Sequence, residues 1–384
     1  MQCDYFDAGR CRSCALMGVP YAAQLADKDA AVRTLLADAA PVDVWLEPFT
    51  GPESAFRNKA KLVVGGRRGE PTLGILDPTG AGVDLRHCGL YEPGLHEAVL
   101  RLPDLVGRLG LTPYDVPRRT GELKHVLVTH SPDSELMVRF VLRSPGQLGR
   151  LERGLPDLLA QLPGTRVVTA NFLPQHAALL EGEQEQVLTE HATLPMRVNG
   201  ITLHLRPQSF FQTNTTVAAG LYRQAQEWLT EVAPTSLWDL YCGVGGFALH
   251  ALTTATPPPQ VTGVEVSEEA VASAEHTLAG IPLQDNGIHA TFRADDATRY
   301  AVQRPPEQAP DALVVNPPRR GIGRELAAWL DRSRVQHVVY SSCNARSLAA
   351  DLEAMPHLRV RRARLFDMFP QTSHHEVMVL LARR

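Results

Sequence analysis

The sequence has no hydrophobic run that reaches the roughly 18 residues needed to span a bilayer. Its first six residues, MQCDYF, lack the basic and then apolar pattern of a secretory signal. It also contains no internal repeat and no low-complexity tract. These absences argue against a membrane partner and predict a cytoplasmic protein.

The chain also lacks an excess of positive charge, since its formal net charge is −4. This argues against a protein that coats nucleic acid without specificity, but it leaves room for a local basic groove. Basic side chains do gather in one acid-free stretch, Arg57–Arg68, and acids gather in Glu181–Glu185. Each run could instead be an ordinary solvated face.

The length and composition predict two domains, because 384 residues that are 44 % hydrophobic can form two cores. Residues 1–206 contain strand-like segments of period two, which indicate an α+β domain on an antiparallel sheet. From residue 207 strands alternate with helices. This pattern predicts an α/β, Rossmann-like domain over 207–384, a doubly wound parallel sheet that ends in an antiparallel hairpin.

A glycine-rich turn follows the first strand of the second domain, in Asp239–Phe247 (DLYCGVGGF). Glycines between a strand and a helix let a ligand approach the backbone. Glu265 ends the next strand, where an acid suits the hydroxyls of a ribose. The pattern fits a nicotinamide site, an S-adenosylmethionine site or a tight turn. The G-x-G-G spacing departs from G-x-G-x-x-G and makes the nicotinamide site the weaker option.

Polar residues also follow the later strands of this sheet. Asn316 precedes two prolines at the end of one strand, and Cys343 follows the next strand in HVVYSSCN. The ends of parallel strands meet at one edge of a sheet, where ligands bind. Asn316 could be a simple loop cap and Cys343 a small buried hydrophobe. The edge position of Cys343 argues against burial in the core, whereas Cys242 is expected to pack.

A thiol beside a methyl donor suits methylation of a pyrimidine at carbon 5. A thiolate that adds to carbon 6 makes carbon 5 nucleophilic, so that one difficult step becomes several easier ones. The carbon 5 proton must then be removed, which requires a general base. Glu376, after His374 as a possible orienting partner, is the candidate, although an exposed glutamate on a hairpin is an alternative.

These motifs together resemble the S-adenosylmethionine-dependent RNA uracil-C5 methyltransferases. The resemblance rests on Ser342-Cys343-Asn344, Asp239–Phe247, Asn316–Arg319, Phe369–Glu376 and Phe210–Asn214, and it covers nearly the whole chain. It implies that Cys343 is the nucleophile and Glu376 the proton acceptor. It implies that S-adenosylmethionine contacts Gln212, Tyr241, Gly246, Glu265 and Asn316.

Four early cysteines, Cys3, Cys11, Cys14 and Cys88, form a possible four-thiolate set. A cytoplasmic chain rarely uses such a set for disulfides. Their spacing alone favours zinc. The resemblance instead implies a [4Fe–4S] cluster, which four thiolates also suit. We therefore expect an iron–sulfur, RNA-binding domain over 1–206.

The resemblance also implies a substrate. It is greatest for the branch of the family that methylates uridine 747 of 23S rRNA. We also expect a monomer with no obligate protein partner. An RNA cytosine-C5 methyltransferase, which also uses a cysteine, is one alternative. A non-catalytic iron–sulfur protein that binds RNA is another, although the intact set of thiol, acid and glycine turn argues against it.

Overall fold

The computed structural model describes residues 1–283 and 287–384 and contains two compact units. The first unit comprises residues 1–17, 53–197 and 206–208, and the second comprises residues 18–52, 198–205 and 209–384. Residues 18–52 thus precede most of the first unit in the chain but fold with the second. The functional boundary expected at residue 206 stays a prediction.

Strands predominate in the first half of the chain, and helices alternate with strands from Thr215 onward. The helices are α1 (Asp4–Asp7), α2 (Tyr21–Leu35), α3 (Pro93–Arg108), α4 (Leu148–Gln161), α5 (Thr215–Val232), α6 (Gly246–Ala251), α7 (Glu268–Ala279), α8 (Ala297–Val302), α9 (Gly323–Arg332) and α10 (Ala345–Glu353). The strands are β1 (Lys59–Arg67), β2 (Glu70–Leu76), β3 (Gly82–Asp84), β4 (Leu123–His130), β5 (Leu136–Leu142), β6 (Thr165–Phe172), β7 (Gln184–Val187), β8 (Leu194–Val198), β9 (Ile201–Leu205), β10 (Ser236–Leu240), β11 (Gln260–Glu265), β12 (His289–Ala294), β13 (Ala312–Val315), β14 (His337–Ser342), β15 (Leu358–Phe366) and β16 (Glu376–Arg383). Within residues 1–283 and 287–384, none of the helices combines the length and the apolar character that a membrane span requires.

The first unit is built on a seven-stranded sheet of order β3-β2-β1-β4-β5-β6-β7. Alternate residues of its strands, among them Leu62, Val126 and Val138, pack with α3 and α4 in one apolar core. The sheet is antiparallel except that β5 and β6 are parallel. This pair departs from the antiparallel sheet predicted from the sequence, because α4 crosses over between the two strands and brings the chain back in the same direction.

Part of the acidic run lies against buried cations of this unit rather than facing solvent. Arg139 on β5 is only 1 % exposed, and it forms ion pairs with Glu181 and with Glu185, 2.6 Å from the latter. Lys59 of the basic run lies close to these groups, and burial lowers the pKa of its ammonium to about 8. A buried charge is tolerated only when it is paired, and here the acidic run supplies the partners.

The second unit contains a seven-stranded sheet of order β12-β11-β10-β13-β14-β16-β15. The first five strands are parallel, and β16 runs antiparallel between β14 and β15. One face packs against α9 and α10 in a core that contains Leu240, Val315 and Tyr340. The strands alternate with helices and end in a hairpin, as the sequence pattern predicts for a doubly wound sheet.

The prediction of an iron–sulfur domain is wrong. Cys3, Cys11, Cys14 and Cys88 are free thiols, and in the described part of the chain no group of three or more Cys, His, Asp or Glu side chains could hold a metal ion. Burial raises the pKa of the Cys14 thiol to about 11, and the nearby Cys88, Cys11 and Cys3 add to the rise. Burial also raises the pKa of the Cys88 thiol. A cluster requires four thiolates placed around one centre, and these neighbouring side chains do not form such a site.

Candidate active site

Four parallel strands of the second unit end at one cavity of about 710 Å³. Tyr241 follows β10, Glu265 ends β11, Asn316 follows β13 and Cys343 follows β14. The other predicted site residues that line the cavity are Gln212, Gly246 and Glu376. The structure therefore brings all seven predicted catalytic and cofactor-binding residues to one place, while their individual roles remain predictions.

The glycine turn after β10 has an unusual backbone. Tyr241 has a φ of 61° and Gly245 a φ of 81°, both in the left-handed region that L-residues other than glycine rarely adopt. A Cβ on Gly246 would lie 2.5 Å from the hydroxyl oxygen of Tyr222, so no larger residue fits there. Strained conformations of this kind cluster at ligand sites, where the surrounding structure maintains them.

Asp239, on β10, fixes the helix that follows this turn. Its Oδ2 accepts a hydrogen bond from the backbone N–H of Ala248 at 2.9 Å. The side chain is fully buried, which raises the pKa of its carboxyl to about 7. Among the described residues its Oδ1 has no hydrogen-bond partner. The turn is thus fixed from the sheet side, and its backbone faces the cavity.

Glu265 is held in a single orientation. Its Oε2 accepts from the backbone N–H of Gly243 and its Oε1 from that of Ser267, both at 3.1 Å. A carboxylate accepts up to about four hydrogen bonds, so lone pairs remain on both oxygens. Two fixed acceptor oxygens at the end of the second strand suit the paired hydroxyls of a ribose.

Hydrogen bonds to Asp351 of α10 fix the loop that carries Asn316. The Asp351 carboxylate accepts from the backbone N–H groups of Ile322 and Gly323 at 2.9 and 3.3 Å. It also accepts from the buried hydroxyl of Tyr340 at 2.7 Å. These contacts fix the far end of the loop, so that Asn316 and the two prolines behind it have a defined position at the cavity.

Cys343 lies between that loop and the start of α10. Asn344 caps α10 and donates from Nδ2 to the carbonyl of Arg319 at 2.9 Å, which joins the two segments. Burial raises the pKa of the Cys343 thiol, the nearby Glu376 carboxylate adds to the rise, and Arg319 opposes it. The thiol is half-buried and lines the cavity, so it is accessible to a ligand there.

Glu376 is the first residue of β16 and is only 4 % exposed. Burial raises the pKa of its carboxyl to about 8, with Arg319 acting against the rise. Its Oε2 is buried and has no hydrogen-bond partner among the described residues. The expected orienting partner, His374, packs its ring edge on Phe369 instead, with 6.3 Å between the centroids.

Two further polar residues, Arg319 and Asp296, line this cavity. Arg319 lines the cavity and affects the pKa of both Cys343 and Glu376. Asp296, at the end of β12, also lines it and caps α8 by accepting from the backbone N–H of Arg299 at 2.7 Å. The position of Arg319 directly after Asn316-Pro317-Pro318 was the available signal.

The fold and the cavity together define a Rossmann-like, S-adenosylmethionine-dependent methyltransferase. The family model for tRNA (uracil-5-)-methyltransferases matches residues 182–384, and the chain belongs to this family of RNA uracil-C5 methyltransferases. The predicted family membership is therefore confirmed.

Two known enzymes match this chain in sequence over their full length. The chain is 49 % identical over 384 residues to the 23S rRNA (uracil(747)-C(5))-methyltransferase RlmC of Halothiobacillus neapolitanus, covering 100 % of both chains. It is 48 % identical over 384 residues to the enzyme of the same name from Cronobacter sakazakii, again covering 100 % of both.

A solved structure shares the fold. The tRNA (uracil-54, C5)-methyltransferase of Pyrococcus abyssi, in complex with S-adenosyl-L-homocysteine, superposes with a TM-score of 0.77 at 22 % identity. The match covers 96 % of this chain and 85 % of that one. The Rossmann-like methyltransferase fold predicted for the second domain is confirmed.

Glu376 should give the stability of the protein a distinct pH dependence. Its pKa is about 8 in the folded state and about 4.3 in an unfolded chain. Between these values the folded protein keeps a proton that the unfolded chain releases, so this group's contribution to stability is lost as the pH rises through 8. From pH 6 to pH 9 the free energy of unfolding should fall by about 2–3 kcal/mol from this group.

Urea denaturation at the two pH values measures this effect. The Glu376→Gln variant has no titrating group at this position, so its unfolding free energy should fall less over the same range. Equal pH dependence in the variant and the parent protein would contradict the assignment.

Proposed function

We propose that this chain transfers the methyl group of S-adenosylmethionine to carbon 5 of uridine 747 in 23S rRNA. Family membership supports the reaction class, and the relatives that are 48–49 % identical over their full length have this position in their names. The observation that carries the mechanism is that Cys343 and Glu376 share one cavity with the glycine turn.

The residues of the cavity fit S-adenosylmethionine. The fixed carboxylate of Glu265 suits its ribose, and Gly243 and Gly246 bring backbone without side chains to the cavity wall, where a ligand can approach closely. We assign the cofactor contacts to Gln212, Tyr241, Gly246, Glu265 and Asn316. When bound, the cofactor supplies the methyl group that carbon 5 of the activated uracil accepts, and S-adenosylhomocysteine is the by-product.

Cys343 activates the base. Its thiolate adds to carbon 6 of uracil, and the electron pair of the carbon 5–carbon 6 double bond moves toward the carbonyl oxygen to give an enolate, whose carbon 5 is nucleophilic. The thiol must first lose its proton, which burial opposes. Arg319 helps, since its positive charge lowers the pKa of the thiol relative to burial alone.

Glu376 completes the reaction. After methylation carbon 5 still carries its original hydrogen, and the Glu376 carboxylate removes it as a proton. The electrons re-form the double bond, the bond between sulfur and carbon 6 breaks, and the Cys343 thiolate leaves. A pKa of about 8 makes this carboxylate a stronger base than a solvated glutamate while a useful fraction is still ionised near neutral pH.

The uridine must leave its stack to reach this cavity. Phe210 lines the cavity and is 72 % exposed, and Phe369 lines it as well. We propose that these rings stack on the freed base or its neighbours, each contributing about 1–3 kcal/mol. We also propose that residues 1–206 bind RNA and that the enzyme acts as a cytoplasmic monomer.

Cys343 should be required for covalent capture of RNA. A substrate hairpin in which 5-fluorouridine replaces the target uridine cannot release a proton from carbon 5, so the protein should stay bound through sulfur. Denaturing electrophoresis with radiolabelled RNA should show this complex for the parent protein, and Cys343→Ala should abolish it. Trapping by 5-fluorocytidine alone would instead support cytosine methylation.

Glu376→Gln should separate methyl transfer from release. Without the base, the methylated RNA should stay attached to Cys343, and release should slow by about 10²–10⁴-fold, the usual contribution of a general base. Mass spectrometry of the protein–RNA complex should find the methyl group on the bound RNA. Release by the variant at the parental rate would remove Glu376 from the mechanism.

The position of the target is tested separately. Mass spectrometry of 23S rRNA from cells that lack the gene should show uridine at position 747 where the parent cells have 5-methyluridine. Restoring the gene should restore the methyl group, whereas restoring the Cys343→Ala variant should not. An unchanged position 747 with a methyl group lost elsewhere would reassign the substrate.

A further inference from the structure

Helix α2 presents three polar side chains on one face. Tyr21, Gln24 and Lys28 are spaced by three and four residues, so they lie one above another along the helix. Gln24 is 1 % exposed and Lys28 is 5 % exposed. Buried positions on a helix are usually apolar, so these residues require a polar partner.

Their partner is the segment between β15 and β16, residues 367–375. Lys28 donates from Nζ to Asp367 Oδ1 at 2.6 Å and to the carbonyl of Phe369 at 3.2 Å. Tyr21 donates its hydroxyl to Asp367 Oδ2 at 2.8 Å. The Asp367 carboxylate, fully buried, is therefore bound at both oxygens by α2.

Gln24 makes a reciprocal pair with Gln371. Its Nε2 donates to Gln371 Oε1, and its Oε1 accepts from the backbone N–H of Gln371, both at 3.0 Å. Gln371 has a φ of 67°, a left-handed conformation that costs a residue other than glycine about 1 kcal/mol or more. The two hydrogen bonds hold the backbone in this conformation.

The segment held by α2 leads directly into the cavity. Phe369 lines the cavity, and Glu376 follows the segment as the first residue of β16. On its other side Asn214, which caps α5, donates to the carbonyl of Met368 at 3.4 Å. Phe369 and Glu376 thus depend for their position on contacts outside the cavity.

Stability alone does not account for these contacts. The Lys28–Asp367 pair is almost completely buried, and removing two charges from water costs about as much as their attraction returns. Apolar residues of similar volume often stabilise a protein equally well or better. What the polar network supplies is a defined geometry for one segment.

We propose that Tyr21, Gln24 and Lys28 are positioning residues that hold Phe369 and Glu376 toward the base bound to Cys343. This inference rests on the proposed function. If it is right, the three residues act mainly on the last step, in which the carbon 5 proton goes to Glu376 and the sulfur–carbon bond breaks. At saturating RNA, where weaker stacking on Phe369 does not limit binding, formation of the methylated covalent complex should depend on them much less.

Rapid-quench kinetics with a uridine-containing RNA hairpin tests this, by following formation and decay of the methylated protein–RNA complex. Lys28→Met should slow decay by about 10–100-fold, the effect of a displacement near 1 Å, and should slow formation by less than about 3-fold. Tyr21→Phe, which loses one hydrogen bond and is milder, should shift the same ratio in the same direction by a smaller factor.

Val32→Ala is the matched control, since Val32 lies on the same helix and is fully buried in the apolar core. It weakens packing without removing a polar contact to residues 367–375, so it should leave the ratio of decay to formation unchanged. An equal change of this ratio in Val32→Ala and Lys28→Met would overturn the inference. So would a folded Lys28→Met protein with the parental ratio.

A double variant asks whether Lys28 acts through Glu376. In Glu376→Gln the decay is already slow, and adding Lys28→Met should not slow it further, because both changes disable the same group. Multiplicative slowing would contradict the inference. If neither the parent protein nor Glu376→Gln forms any methylated covalent complex, the proposed function itself fails, which is a different result from failure of positioning alone.

Discussion

The carboxyl group of Glu376 has lost its contact with water, and the chemistry of the cavity depends on that loss. Burial makes its ionised form costly, as it does for the Cys343 thiolate nearby. Two negative charges so close together in a poorly solvated cavity repel each other. Arg319 is the cation that reduces both costs. The site therefore favours one ionised group at a time. This agrees with the order of the reaction steps, in which the thiolate acts first and the carboxylate later.

The part of the site that follows from strand order could be predicted from the sequence. Parallel strands deliver the residues at their carboxyl ends to one edge, so Tyr241, Glu265, Asn316 and Cys343 could be grouped before any coordinates existed. The need for a general base pointed to Glu376, and the family resemblance added Gln212. Burial of Glu376 could not be predicted, because it depends on long-range packing that leaves no periodic pattern near the residue. The local environment of a charge is a property of the fold and not of its neighbours in the chain.

The errors have similar physical origins. The spacing of four cysteines favoured zinc and the family resemblance implied an iron–sulfur cluster, but neither determines whether Cys3, Cys11, Cys14 and Cys88 form a metal site. The acidic run Glu181–Glu185 could have been a solvated face, yet part of it neutralises Arg139 inside the first unit. The polar face of α2 gave no signal at all, since Gln24 and Lys28 are common on exposed helices. In each case the missing information was the identity of a partner distant in sequence.

Helix α2 also has a consequence for synthesis. It emerges from the ribosome early, but Asp367 and Gln371, which it binds, are made more than three hundred residues later. Until then its buried face has no partner, and contacts at such separation are slow to form because a long loop must close. The nascent chain cannot hold Glu376 in position to accept a proton from RNA. Each molecule therefore gains activity only near the completion of translation.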